Sequence, residues 1–156
     1  MFDEEYEKIH AKSHGLSFID LDKASKYVRK FEGLRLKPYT CPSGKLTIGY
    51  GHNLEDNGIS LEMAEDLLYL DLKAAEIECY GKISCYPVLD GARKFVLLDM
   101  CFNMGISKLL TFKKMLAAID RKDYKIAAKE MLDSKYARQV GQRAKTLAKI
   151  LETGVW

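Results

Sequence analysis

The sequence predicts a mostly helical α+β fold, in which a small β-containing lobe precedes one long helix and a helical lobe. Three observations support this fold class. The chain has 156 residues, 47% of them apolar, which suits one globular domain with a sizeable core. Glycines mixed with aromatic and β-branched residues are concentrated over 37–52, which favours a small sheet. Apolar residues recur at helical spacing in most of the remaining chain.

The predicted elements divide the chain into a polar N-terminal lead-in and one domain. The lead-in covers residues 1–16 and the domain residues 17–156. Within the domain we expect, in order, the small lobe, the connecting helix and the helical lobe, over 17–59, 60–80 and 81–156.

The small lobe is expected to contain one amphipathic helix and an antiparallel sheet. Apolar residues three and four positions apart predict the helix over 19–31, and Gly33 and Pro38 should end it. The sheet follows over 37–52, with the Pro-Ser-Gly-Lys segment at 42–45 as its turn.

The rest of the domain is predicted to be helical. Ser60 can cap a helix that runs to about Tyr80, roughly 30 Å, and Gly81 should end it. Further helices are expected near 88–104, 108–119, 122–132 and 134–151.

Charge is distributed unevenly along the chain. The net charge is +3, but residues 1–106 carry 13 basic and 17 acidic residues, whereas residues 107–156 carry 12 basic and 5 acidic residues. A basic C-terminal third indicates an anionic partner, such as a nucleic acid, a membrane surface or an acidic polymer. Alternatively, the lysines line the solvent-facing sides of amphipathic helices. Basic and aromatic residues are not interleaved as on base-stacking surfaces, so we expect no nucleic acid partner.

Composition also argues against several classes of protein. No apolar run reaches the ~18 residues that a transmembrane helix needs, and the N-terminus lacks the basic start and apolar core of a signal peptide. The four cysteines form no C-x-x-C pair and only three histidines are present, so we expect no metal site and no cofactor. Three of the cysteines are expected to be free and buried, namely Cys79, Cys85 and Cys101.

Glu32, Cys41 and Thr47 are the candidate catalytic residues. Glu32 ends the first predicted helix, Cys41 precedes the turn and Thr47 lies on the returning strand. If the hairpin folds back on the helix, the three side chains share one cleft. There, an acid whose pKa is raised by burial can protonate a glycosidic oxygen, while a thiol and a hydroxyl position or activate water. On position alone, the commoner role of such a Glu is that of a solvated side chain.

Two motifs resemble the phage-type lysozymes, a family of glycoside hydrolases. They are Phe-Glu-Gly-Leu-Arg-Leu-Lys-Pro-Tyr at 31–39 and Gly-Lys-Leu-Thr-Ile-Gly-Tyr-Gly-His at 44–52. The family pattern of Glu, eight residues, Asp or Cys, five residues and Thr is matched by Glu32, Cys41 and Thr47. Further similar segments lie downstream: Phe-Asn-Met-Gly at 102–105, Arg-Ala at 143–144 and Thr-Gly-Val-Trp at 153–156. The resemblance covers roughly residues 19–156 and implies a lysozyme-like fold.

The resemblance also implies roles for the three candidate residues. Glu32 would be the general acid, Cys41 would face it in place of the commoner Asp, and Thr47 would help to hold the attacking water. Three roles remain open for the Cys41 thiol: a nucleophile, a base for water or a polar wall of the cleft. Whether the reaction retains or inverts configuration is therefore also open.

Five more residues take roles from the resemblance. Arg143 would pair with the catalytic Glu, the alternative being a surface arginine on the last helix. His52 would pair with Asp71 on the long helix, in a structural rather than a catalytic role. Phe102 and Asn103 would form part of the cleft wall.

The implied activity is that of an N-acetylmuramidase, which hydrolyses the β-1,4 bond between N-acetylmuramic acid and N-acetylglucosamine in bacterial peptidoglycan. We expect a monomer that the basic lobe draws to the anionic envelope surface. It would be made in the host cytoplasm and reach the wall after release by another protein, as a phage endolysin does; a bacterial effector would look the same. The alternatives are a lytic transglycosylase acting on the same bond and a non-catalytic module that binds cell wall or nucleic acid.

Overall fold

In a computed structural model of the protein, residues 19–156 are described, so the lead-in predicted over 1–16 lies outside the described residues. Helices account for 68% of the described chain and a three-stranded antiparallel sheet is also present, which confirms the predicted fold class. The chain divides into two compact units, one ending at Ser60 and the other running from Leu61 to Trp156.

The first unit combines two helices with the sheet. Its elements are α1 (Leu21–Glu32), β1 (Arg35–Thr40), β2 (Leu46–Gly49), β3 (His52–Asn53) and α2 (Leu54–Asn57). The carboxylate of Asp20 caps α1 by accepting a hydrogen bond from the Lys23 amide, and Gly33 ends α1 with a φ of 68°. Pro38 does not help to end the helix, contrary to the prediction. It lies within β1, an edge strand, where a residue without an N–H is tolerated.

The sheet has the order β1-β2-β3, and its register places Thr47 between Tyr39 and Asn53. The β1–β2 turn is closed by two backbone hydrogen bonds, from Gly44 N–H to the Cys41 carbonyl and from Cys41 N–H to the Lys45 carbonyl, each 2.9 Å long. Gly44 has a φ of 85°, which favours glycine at this position. The turn lies where the sequence predicts it.

The second unit is helical. Its elements are α3 (Leu61–Lys82), a short 3-10 helix (Tyr86–Val88), α4 (Gly91–Met104), α5 (Ile106–Leu109), α6 (Lys113–Asp120), α7 (Tyr124–Leu132), α8 (Lys135–Val140) and α9 (Gln142–Thr153). Two predicted helices are each divided in two. The one near 108–119 is interrupted by a turn at Leu110–Phe112, and the one near 134–151 by Gly141, whose φ is 56°. Gly81 lies within the last turn of α3 and does not end it.

The apolar core lies in the second unit. Among the described residues, every buried apolar side chain belongs to this unit. The core is formed mainly where α7 packs on α6 and α9 and where α4 packs on α3 and α9. Its largest fully buried members include Tyr86, Leu97, Met100, Leu109 and Met131.

Arg93, near the start of α4, forms hydrogen bonds with the end of α9. Its guanidinium donates from Nε to the Leu151 carbonyl (3.0 Å) and from Nη2 to the Glu152 carbonyl (3.1 Å). The same group lies 3.5 Å from the centre of the Tyr124 ring and forms an ion pair with Asp90. Carbonyls at the end of a helix have no partner within that helix, so this arginine satisfies groups that α9 leaves open.

No helix in the described part of the chain is long and apolar enough to span a membrane.

Candidate active site

Glu32 is the last residue of α1 and lies against the β2–β3 turn. A Cβ atom added to Gly51 would lie 3.3 Å from Glu32 Oε2, so the carboxylate occupies the space that a larger residue would need. One turn earlier, the Arg29 guanidinium lies 5.6 Å from the centre of the Tyr50 ring. Helix α1 thus contacts this turn through two neighbouring side chains. Within its own unit, among the described residues, the Glu32 carboxylate has no hydrogen-bond or ion-pair partner.

The β1–β2 turn brings Cys41 and Thr47 together. Cys41 is half-buried and Thr47 is the one buried side chain of residues 19–60, with 3% of its surface exposed. The Cys41 Sγ lies 3.0 Å from the Ser43 Oγ, and the Thr47 hydroxyl interacts with the thiol as well. The predicted juxtaposition of the thiol and the hydroxyl is therefore present, whereas Glu32 is held at the neighbouring turn.

Hydrogen bonds in this turn lower the pKa of the Cys41 thiol to about 7. The largest cause is the Ser43 hydroxyl, followed by the Lys45 backbone N–H and the Thr47 hydroxyl, all of which stabilise the thiolate. A substantial fraction of Cys41 is therefore thiolate at neutral pH, unlike an ordinary cysteine.

Thr47 has one hydroxyl proton and two acceptors for it. In the structure the hydroxyl donates to the Lys45 carbonyl at 3.0 Å, and the Cys41 thiolate is the competing acceptor. The Thr47 hydroxyl must therefore turn away from the carbonyl when it donates to the thiolate.

Sequence reasoning missed Ser43, which it treated only as part of the turn. A hydroxyl two residues after a cysteine in a tight turn is the signal that could have identified it. The turn is held further by Lys45, whose ammonium pairs with Asp56 at 2.9 Å and Glu55 at 3.2 Å. These two hydrogen bonds, the one to Asp56 first, raise the pKa of Lys45.

His52 has a structural contact within the first unit. Its Nε2 lies 2.7 Å from the Gly58 carbonyl oxygen, and because a carbonyl only accepts, Nε2–H is the donor. This bond ties β3 to the residue that follows α2. The expected partner Asp71 belongs to the second unit, and the pairing with it stays a prediction.

Arg143 is held by an acid that the sequence analysis did not identify. Its Nε and Nη2 donate to the two carboxylate oxygens of Asp99, at 3.0 and 2.6 Å. The hydrogen bonds that Arg143 donates to Asp99 raise the pKa of Arg143. A single carboxylate within the apolar run of α4 is the signal that could have identified Asp99. The pairing of Arg143 with Glu32 stays a prediction.

Phe102 and Asn103 lie near the end of α4 and are both exposed. Their predicted place in the cleft wall stays a prediction. Within residues 19–156, no three His, Cys, Asp or Glu side chains come together in a group that could hold a metal ion.

Comparison with known proteins identifies the family. Residues 29–150 match the family model described as phage lysozyme. The chain belongs to the phage lysozyme family. It is 32% identical over 152 residues to "Probable T4-type lysozyme 1" of Dictyostelium discoideum, a match covering 79% of this chain and 89% of that protein.

Two phage proteins are also similar. The "Endolysin" of Acyrthosiphon pisum secondary endosymbiont phage 1 is 30% identical over 120 residues, covering 74% of this chain and 80% of that protein. The "Pre-baseplate central spike protein Gp5" of Enterobacteria phage T4 is 28% identical, over 81% of this chain but only 27% of that protein. Membership of the phage lysozyme family supports a lysozyme-type glycosidase whose substrate is peptidoglycan.

Proposed function

We propose that the protein is an N-acetylmuramidase that hydrolyses the β-1,4 bond between N-acetylmuramic acid and N-acetylglucosamine, with Glu32 as the general acid. The observation that carries this proposal is the β1–β2 turn, where Cys41 and Thr47 meet at the spacing of the family pattern. Glu32 belongs to the same unit, and its carboxylate lies beside Gly51.

In the proposed mechanism, Glu32 protonates the glycosidic oxygen as the bond to the anomeric carbon breaks. The sugar then passes through an oxocarbenium-like transition state that water attacks. Thr47 holds this water through its hydroxyl group.

The lowered pKa of Cys41 favours an active role for the thiol over that of a polar wall. A thiolate can accept a proton from the attacking water, which gives inversion, or it can attack the anomeric carbon and give a covalent intermediate with retention. The anomeric configuration of the first product, followed by NMR, distinguishes the two roles.

The remaining site residues are assigned supporting roles. The family resemblance assigns Arg143 as the partner of the Glu32 carboxylate, and within the second unit Asp99 fixes the plane of the Arg143 guanidinium through two hydrogen bonds. Phe102 and Asn103 contact the sugar chain, and His52 with Asp71 has a structural role. The protein acts as a monomer on the wall, after synthesis in the cytoplasm and release by another protein, and the basic residues of 107–156 attract it to the anionic envelope.

Mass spectrometry of purified peptidoglycan digested by the protein tests the proposal. We expect reducing N-acetylmuramic acid ends, which disappear with Glu32→Gln but persist with the control Asp22→Asn, an exposed acid of the same helix. Anhydro ends instead would identify a lytic transglycosylase. No products, together with retention of the protein on peptidoglycan, would identify a non-catalytic binding module.

A further inference from the structure

Cys79 on α3 and Cys101 on α4 form a buried thiol pair that the proposed reaction does not use. Their side chains are 0% and 2% exposed. The Cys79 Sγ lies 3.9 Å from the Leu97 carbonyl oxygen, and the Cys101 Sγ lies 3.7 Å from the Ala75 carbonyl oxygen.

These contacts are reciprocal. In an α-helix the Leu97 carbonyl accepts the N–H of Cys101, and the Ala75 carbonyl accepts that of Cys79. Each sulfur therefore reaches the carbonyl one turn before the other cysteine. The two helices run in opposite directions here, and both sulfurs lie in one layer between them. Each thiol also influences the pKa of the other.

Only weak contacts hold the two sulfurs in their present positions. A thiol is a poor donor, and S···O distances of 3.7 and 3.9 Å are at the long end for such bonds. Either sulfur can therefore leave its carbonyl without losing a strong hydrogen bond.

We propose that Cys79 and Cys101 are a disulfide-forming site, which joins α3 to α4 when a low-molecular-weight disulfide oxidises the folded protein. In the first step one thiol attacks oxidised glutathione and releases one reduced glutathione, which takes up the thiol's proton. The second thiol then attacks the mixed disulfide and releases a second reduced glutathione. Overall, the protein loses two protons and two electrons, and the two released glutathione molecules carry them.

Burial sets the rate of this reaction. It raises the pKa of Cys79 to about 12, so the pair stays protonated in the closed structure and reacts through transient local opening. The half-buried Cys41, whose pKa is lower, is expected to react first. The inter-helix bond then forms slowly, in the oxidising surroundings outside the cytosol where disulfides persist.

Peptide mapping of the full-length protein tests the site without reference to wall hydrolysis. The protein is incubated under native conditions with oxidised glutathione, remaining thiols are alkylated, and trypsin is added. Cleavage after Lys73, Lys82, Lys94 and Lys108 leaves Cys79 and Cys101 in separate peptides, 74–82 and 95–108. We expect these two peptides to be linked, and the thermal midpoint to rise by several degrees.

Three variants complete the design. Cys85→Ala removes the other buried thiol and should leave the linked peptides in place. Cys101→Ala should abolish both the link and the rise in thermal midpoint, and Cys101→Val serves the same purpose if the smaller residue prevents folding. If peptides 74–82 and 95–108 stay unlinked after all Cys41 has reacted, or if Cys85 links instead, the proposal is wrong.

Discussion

The two units of the chain are stabilised in different ways. The second unit, Leu61–Trp156, has a continuous apolar core with many side chains that are fully buried. In the described part of the first unit the one buried side chain is Thr47. The stabilising features seen there are a helix cap, ion pairs and turns with glycine at positive φ. Stability is therefore expected to depend mainly on the second unit, whereas the reactive thiol and the candidate acid belong to the first.

Truncating a core side chain is expected to have the largest effect on the free energy of unfolding. Leu97→Ala removes a fully buried side chain of the second unit, and we expect a loss of about 2–5 kcal/mol of unfolding free energy because a cavity remains. The matched change in the first unit is Leu36→Ala, at a residue that is 79% exposed. Its expected effect is within about 0.5 kcal/mol.

Urea denaturation followed by circular dichroism measures both effects. Equal losses for the two variants would mean that Leu36 is buried in the folded protein, and the contrast between the units would not hold.

The second prediction concerns the hydrogen bonds that Arg93 donates to the end of α9. Arg93→Ala should cost about 2–3 kcal/mol, since it leaves the Leu151 and Glu152 carbonyls without their charged donor. Arg93→Lys keeps the charge but loses the forked geometry, and it should recover only part of the stability. Full recovery in thermal unfolding by the lysine variant would show that charge alone is sufficient.

Two glycines of the first unit allow a paired comparison. Gly51 and Gly44 have nearly equal φ angles, 86° and 85°, so alanine at either position should cost about 1 kcal/mol in backbone strain. Only at Gly51 does the added methyl group meet Glu32. We therefore expect similar melting temperatures for the two variants but a much larger loss of wall-degrading activity for Gly51→Ala.

Equal activities of the two alanine variants would mean that the position of the Glu32 carboxylate does not matter for catalysis. Unequal melting temperatures would instead show that the two turns differ in strain for another reason.

The smallest effect on stability is expected from Ser43→Ala, and its chemical effect is specific. Because the Ser43 hydroxyl is the largest cause of the lowered pKa of Cys41, its removal should raise that pKa above about 7. The rate of Cys41 alkylation by iodoacetamide, measured against pH, should then show its inflection at a higher pH. An unchanged inflection would assign the lowered pKa to the backbone N–H of Lys45 and to Thr47.

Much of the fold follows from local sequence patterns. The helical spacing of α3 and α7 and the turn before Lys45 are strong local signals, and the structure has these elements where they are predicted. The division of the last helix at Gly141 was not predicted, because a single glycine inside a periodic segment does not reveal its φ angle.

The site was predictable in its residue types but not in its hydrogen bonds. The spacing of Glu32, Cys41 and Thr47 identifies them through the family pattern, whereas the role of Ser43 depends on the rotamer of one hydroxyl group. The Asp99–Arg143 pair joins residues 44 positions apart, and no periodic pattern specifies such a contact.

Because Thr47 has a single hydroxyl proton to donate, this residue should report the charge on Cys41. Threonine does not titrate in this pH range, yet the direction of the Thr47 O–H bond should follow the charge on Cys41, because the thiolate and the Lys45 carbonyl compete for one hydroxyl proton. The methyl group of Thr47 lies on the same carbon as this hydroxyl and senses the charge that develops on the neighbouring sulfur, so its NMR resonance should trace the titration curve of an atom that carries no spectroscopic label.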